Sequence, residues 1–398
     1  MGSRDGRRSG DKRRARCAGS GGNIEVLPMI FLRTCRKRSP IGVDVGERTI
    51  RAVQFRRRGE RTELIAARSR QMPRSGDGSQ DGAAGALETL RSVIAAGPFV
   101  GADIVSAVPN RDVDIRPLRL PAGVSPENGA EFEEALLLSA RSSLLYHIEE
   151  AAVDYLPLGA EREESEERFA VLLVAARKKD VNRLLALFKG ARLRCLHLEA
   201  RPCASARVLG GEGGAFAMIE LGSTNATFSV ARDSDLLFSR TVSLGGEGIA
   251  EELARTLNVD RQEAEQMLTR YGISHGRPSR CDLRKAEEVG LVDADLFPRL
   301  NFEAAKPVLD RIVAEGRRSI NYFSRQRRGG SVEKAFLWGD LMPAGIDGCL
   351  AEALSIPVVI EDPFAKVCGE SPAGLNGVSS DRSAFCVASG LALRAWTT

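Results

Sequence analysis

The stretch Ile41–Phe55, IGVDVGERTIRAVQF, decides the fold. Ile41–Val45 reads as a buried strand, Asp44 and Gly46 carry the chain into a tight turn, and a second strand follows at once. A glycine in such a turn lets the backbone approach phosphate oxygens, and successive amide N–H groups form an anion-binding nest. Asp44, at the strand end, suits a hydrated Mg2+, which takes one carboxylate and keeps its waters. Gly46, Arg48 and Thr49 then form the phosphate-facing side. A single Asp-x-Gly after an apolar run is more often an ordinary β-turn. Here the pattern recurs at Ala217–Val230, AMIELGSTNATFSV, with Glu220, Gly222, Ser223 and Thr224 in the corresponding places. Two such hairpins, most of a domain apart, imply two lobes closing on a shared anion.

At 398 residues and 42.9 kDa the chain exceeds one compact core, so at least two lobes are expected. Composition is that of a soluble globular protein, with no apolar run approaching the roughly 18 residues that span a bilayer. The eight cysteines have no recurrent spacing and read as reduced cytosolic thiols. His147, His197 and His275 lack metal-ligand spacing and are read as structural. Net charge is +4, yet residues 1–39 hold eleven Lys/Arg against three Asp/Glu, leaving the remainder about −4. The basic tail reads as a solvated arm. Its end, Met29–Arg38 (MIFLRTCRKR), joins apolar residues to a basic cluster suited to skimming an anionic leaflet, and Met29 is an alternative start. No signal-peptide core follows the early arginines. Nucleic-acid binding is not expected, because the acidic body shows no interleaving of aromatic and basic residues.

Pattern and punctuation divide the chain into a basic arm (1–39), the first lobe (40–100 and 191–213), an inserted α+β domain (101–190), a second lobe (214–382) and a closing helix (383–398) that returns to the first lobe. Within the insertion, the charged run Ala160–Arg168 is expected to be a solvated loop between strands near 151–158 and 169–176. A long amphipathic helix is expected over roughly 302–325.

Beyond these patterns the chain resembles one family over nearly all of 40–396: PilM, the actin-like protein of type IV pilus assembly. The segments that carry the resemblance are IGVDVGERTIRAVQF, AVPNRDVDIRPLRLPAGV, VLLVAARKKDV, LHLEARPCASARVL, the second hairpin, SRTVSLGGEGIAEELA, RRSINYFSRQ, IPVVIEDPF and ASGLALRA. The resemblance implies a two-lobed actin-like ATPase fold of ribonuclease H-like repeats with an inserted small α+β domain. It implies ATP and Mg2+ between the lobes, with Asp44, Glu199 and Glu220 as catalytic carboxylates. Glu199 stands where related ATPases carry the acid or amide that orients the attacking water. Gly245, Gly246 and Glu247 correspond to the ribose side and Gly339 to the adenosine loop. It also implies a partner, a PilN-like inner-membrane protein whose cytoplasmic N-terminal peptide enters a groove between the first lobe and the insertion.

At the phosphate-facing positions this sequence departs from the family. Glu47 and Arg48 replace small hydroxyl residues, Glu220 replaces an aspartate, and the adenosine run Phe336-Leu337-Trp338-Gly339-Asp340-Leu341 keeps one glycine. Trp338 is either a core aromatic or an adenine-stacking group. The expectation is therefore a cytoplasmic scaffold, peripheral to the inner membrane through its partner and linking pilus motor to platform, with a degenerate ATP site. The alternatives are an active actin-like ATPase or phosphotransferase, the cytoplasmic component of a type II secretion platform, and a cell-division actin homologue.

Overall fold

The computed structural model describes residues 37–73, 80–163, 166–211, 213–275, 296–326, 331–370 and 382–396. The basic arm before Lys37 and the irregular stretch after His275 lie outside them. The chain begins with strands β1 (Ile41–Val45), β2 (Thr49–Arg58) and β3 (Arg61–Gln71), helix α1 (Gln80–Ala95) and β4 (Asp103–Val108). Next come β5 (Val113–Arg119), α2 (Ala130–Ser143), β6 (Ala151–Glu163), β7 (Glu166–Arg177) and α3 (Lys178–Gly190). Then β8 (Arg194–Ala200) and α4 (Arg201–Leu209) lead into the second half.

That half holds β9 (Ala215–Leu221), β10 (Ala226–Arg232), β11 (Asp235–Val242), α5 (Gly246–Leu257), α6 (Arg261–Tyr271) and α7 (Leu296–Gln326). After α7 come β12 (Val332–Gly339), α8 (Ile346–Leu354), β13 (Val358–Val359), α9 (Pro363–Cys368) and α10 (Cys386–Leu393).

These strands make two five-stranded sheets of one topology, β3-β2-β1-β4-β8 and β11-β10-β9-β12-β13. In each, the central strand pairs antiparallel with the strand that follows it and parallel with a later one. Both central strands are buried along their whole length, as strands covered on both faces must be. Ile41, Val43, Leu90 and Phe188 centre one core, and Ile219, Phe228, Ile249, Leu253 and Leu309 the other. A third sheet, β5-β7-β6, packs Leu120, Val171 and Leu173 against Phe132 and Leu136 of α2.

The charged run 160–168 is not a loop. β6 and β7 continue through it as a hairpin, with Glu161 opposite Arg168 in the ladder. Ladder hydrogen bonds and facing opposite charges hold polar strands together once the hairpin has been registered by its apolar stem. No helix among the described residues is long and apolar enough to cross a membrane.

Helix α10 is wedged between α4 and the first sheet, and its glycine makes that approach possible. A Cβ on Gly390 would lie 1.9 Å from the carbonyl oxygen of Ala204. Overpacking against backbone costs about 3 kcal/mol. Gly390→Ala is therefore expected to destabilise the protein by about that amount, measured as a lowered urea midpoint at unchanged slope.

Candidate functional site

The two hairpins are one turn built twice. Gly46 N–H donates to Thr49 O at 3.0 Å, and Gly222 N–H donates to Asn225 O at 2.8 Å. A Cβ would stand 2.8 Å from Thr49 O in the first turn and 2.9 Å from Asn225 O in the second, so both require glycine. Two residues before each glycine, on the central strands, are Asp44 and Glu220, 1% and 7% exposed. The repeated sheet topology thus makes these carboxylates structural equivalents.

Arg201 lies between them. It is the first residue of α4, carried there by β8, and is itself 8% exposed. Its Nη1 pairs with Asp44 Oδ1, and its Nη2 reaches Asp44 Oδ2 at 3.3 Å and pairs with Glu220 Oε1. Its Nε donates to Glu220 Oε1 at 2.9 Å, while Asn110 Nδ2 donates to Glu220 Oε2 at 2.9 Å. Arg51 on β2 pairs with Asp340 and stands 3.9 Å from Asp44 Oδ2. Burial lowers the pKa of the Arg201 guanidinium, but Asp44 and Glu220 together outweigh it and raise that pKa above its ordinary value. Burial pushes the Asp44 carboxyl upward, and Arg201 and Arg51 offset that only in part.

Such an arrangement does not fit the magnesium expected at Asp44. A hydrated Mg2+ needs a carboxylate oxygen free to meet its octahedral waters, whereas all four oxygens of Asp44 and Glu220 face protein donors or guanidinium nitrogens. Among the described residues there is no group of three or more His, Cys, Asp or Glu suited to a metal ion.

The phosphate-facing groups are likewise engaged within the chain. Glu47, from the first turn, accepts from Thr224 N–H at 2.8 Å, from Thr224 Oγ1 at 2.8 Å and from Asn225 Nδ2 at 2.6 Å. Its carboxylate thus takes donors of the second turn that an incoming phosphate would need. Arg48 crosses to Glu247 at 3.6 Å and Glu265 at 3.5 Å, both also paired with Arg261. The first amides of α5 are spent on the second turn, Gly246 N–H on Gly222 O at 2.9 Å and Glu247 N–H on Ser223 O at 2.8 Å. With Gly245 at its N-cap, that helix end is closed against the hairpin. Thr49 contributes a backbone carbonyl, and Ser223 is fully buried with its Oγ unpartnered.

In the adenosine segment, Gly339 ends β12 beside Leu221, and Asp340 N–H donates to Leu221 O at 3.1 Å. Trp338 is a core residue, packed among Phe216, Met218, Phe336 and Cys386.

Glu199 is not brought to the hairpins. Arg207 grips its carboxylate with two hydrogen bonds of 2.8 Å, and Arg394 beyond α10 pairs with the same group. A carboxylate so committed is no general base for a water between the lobes; it ties α10 to α4. The residue that enters the cleft stands two places further on, at Arg201. Sequence reading passed over it, although one signal was present. A cation in the first turn of a helix opposes the helix dipole, and Arg201 occupies that place just before Pro202, where only nearby carboxylates make it favourable.

The comparisons agree with this architecture. The family model described as type IV pilus assembly protein PilM matches residues 42–275, and that of cell division protein FtsA matches residues 217–383. Among solved structures, a chain of the PilM-PilN type IV pilus biogenesis complex aligns with TM-score 0.70 at 23% identity, covering 91% of this chain and 100% of that one. The ethanolamine utilization protein EutJ from Carboxydothermus hydrogenoformans aligns with TM-score 0.50 at 14% identity, covering 92% of this chain and 93% of its own. A nucleotide-free diol dehydratase-reactivating factor aligns with TM-score 0.51 at 11% identity, covering 89% and 98%. The fold is the two-lobed actin-like one, its paired sheets being the ribonuclease H-like repeats.

Removing one partner from a buried ion pair costs about 3–5 kcal/mol, because the other charge stays buried. Arg201→Met is expected to destabilise the protein by that amount, and adding Asp44→Asn and Glu220→Gln should restore a large part of it, as read by denaturant unfolding. At Glu199 burial raises the carboxyl, but Arg207 and Arg394 outweigh it and hold it below its ordinary value of 4.5. Its contribution is therefore present at neutral pH and lost as the pH falls below about 4.5 through the folded-state value. The stability gap between wild type and Glu199→Gln should narrow on acidification.

Proposed function

This chain belongs to the PilM family of type IV pilus assembly proteins, and from that premise we propose that it is a scaffold working without nucleotide turnover. In this reading it sits in the cytoplasm at the inner membrane, docks the N-terminal peptide of a PilN-like membrane protein between the first lobe and the inserted domain, and couples the pilus motor to the platform. The Arg201 bridge carries the reading. A fixed guanidinium does between Asp44 and Glu220 the charge-neutralising work that a divalent cation would do, and Glu47 does in the second turn the work of a phosphate. Closure of the two lobes then depends on covalently supplied charges.

Support for the partner comes from family membership and from the fold shared with a chain of the PilM-PilN complex. The inserted sheet joins the first lobe through α3, whose Leu184 and Phe188 enter that lobe's core. A peptide laid in the groove between them would be held by strand addition or by pockets for alternate side chains. Neither mode calls on ATP.

A ligand present at 100 times its Kd stabilises by about 2.7 kcal/mol, which a working site would register. Millimolar ATP with Mg2+ is expected to leave the melting temperature unchanged and to give no saturable heat in titration calorimetry. The N-terminal peptide of a PilN-like protein encoded beside this chain should bind with the same affinity with or without Mg-ATP. Saturable ATP binding with turnover would overturn the nucleotide-independent reading, and absence of peptide binding would overturn the docking.

A further inference from the structure

The corner where the chain enters the first lobe is strongly basic. Ser39 and the backbone of Lys37 hydrogen-bond to β2, and Arg38 bridges to Arg56. This sets Lys37 and Arg38 beside the hairpin tip of β2 and β3, whose sequence Arg56–Arg61 is RRRGER. Lys37, Arg38, Arg56, Arg57, Arg58 and Arg61 are all exposed. The nearby carboxylates are Glu60, Glu63 and Asp103; Glu63 is taken by Arg56 at 2.7 Å, and Asp103, which lines one hollow with Lys37 and Arg38, by Arg194 at 2.6 Å. Arg57 lies over the Trp396 ring, 4.7 Å from its centroid, so the last described turn of the chain joins the same corner. Six exposed cations thus outnumber the three carboxylates beside them, two of which are already taken. Like charges gathered in excess of their counter-charges repel one another, and their favourable counterpart is an external polyanion.

We propose that this corner is a contact surface for anionic phospholipid headgroups. The β2–β3 tip sets Arg58 and Arg61 on the surface beside a hollow lined by Lys37, Arg38, Gln54 and Val100, so exposed cations and an opening for a headgroup lie together. Trp396, half-buried against the core of Phe55, Phe364 and Phe385, borders the corner with an amphipathic ring of the kind favoured at a headgroup boundary. The chain has 5% aromatic residues and no aromatic ladder among the corner's cations, so a stacked single strand of nucleic acid has no platform there. Choosing a membrane as the occupant rests on the platform reading above. One such corner binds weakly alone and acts together with a membrane-anchored partner, each tether raising the effective concentration for the other.

The test uses the full chain without partner protein, so its failure leaves the peptide reading untouched. Sedimentation with vesicles of phosphatidylcholine alone and with added phosphatidylglycerol, at low and at physiological salt, is expected to show binding only to the anionic vesicles, weakened by salt. Arg58→Glu/Arg61→Glu should lower the bound-to-free ratio about tenfold or more at low salt. Lys37→Glu/Arg38→Glu, on a different segment of the same corner, should do the same, and both pairs should melt like wild type because their side chains are exposed. Trp338 is buried, so a blue shift of tryptophan emission on adding anionic vesicles reports Trp396. Binding to anionic vesicles unchanged by both double variants, equal binding to neutral vesicles, or tighter retention on duplex DNA than on anionic vesicles at the same salt would each overturn the proposal.

Discussion

One guanidinium holds the two halves of this protein in register. Arg201 is buried between Asp44 of the first sheet and Glu220 of the second, and it hydrogen-bonds to both carboxylates. Taking three charges out of water is costly, and it is tolerated only because each finds its partners in good geometry. Separating Asp44 from Glu220 would break a charge-assisted bond to this guanidinium. In a nucleotide-operated clamp the corresponding charges arrive with the ligand and leave with it.

The duplication of the sheet explains why a single side chain suffices. Two sheets of identical strand order present the same turn, a glycine in it and an acid two residues upstream, Asp44 in one and Glu220 in the other. When such units face each other, their carboxylates converge and repel, and a cation must lie between them. The same convergence brings Glu47 from the first turn onto the amide of Thr224 in the second. A cation and an anion of the chain itself thus complete the two halves. Arg48 with Glu247 and Glu265, and Arg51 with Asp340, extend the pattern outward from this centre.

The hairpins and their glycines were legible from the residues, because strand periodicity and turn chemistry are local. Trp338 remained ambiguous until its neighbours were known, since an indole suits a core and a stacking site equally. The run 160–168 was misread as a loop because its residues are charged; ladder bonding to an already registered strand outweighs composition there. The partners of Glu199 were not legible, since Arg207 and Arg394 reach its carboxylate from segments that the order of residues does not bring near.

The sequence by itself determined two glycine turns, each preceded by an acid, and the alternation that buries the central strands. Both follow from backbone sterics and from the period of side chains along a strand, which neighbours in the chain fully specify. Only the tertiary structure decided that both acids would meet one guanidinium, and that Glu47 would reach the opposite turn. Those outcomes depend on side chains from β8–α4 and from the other lobe reaching one buried point, and the strength of a charge's interactions is set by what surrounds it in space.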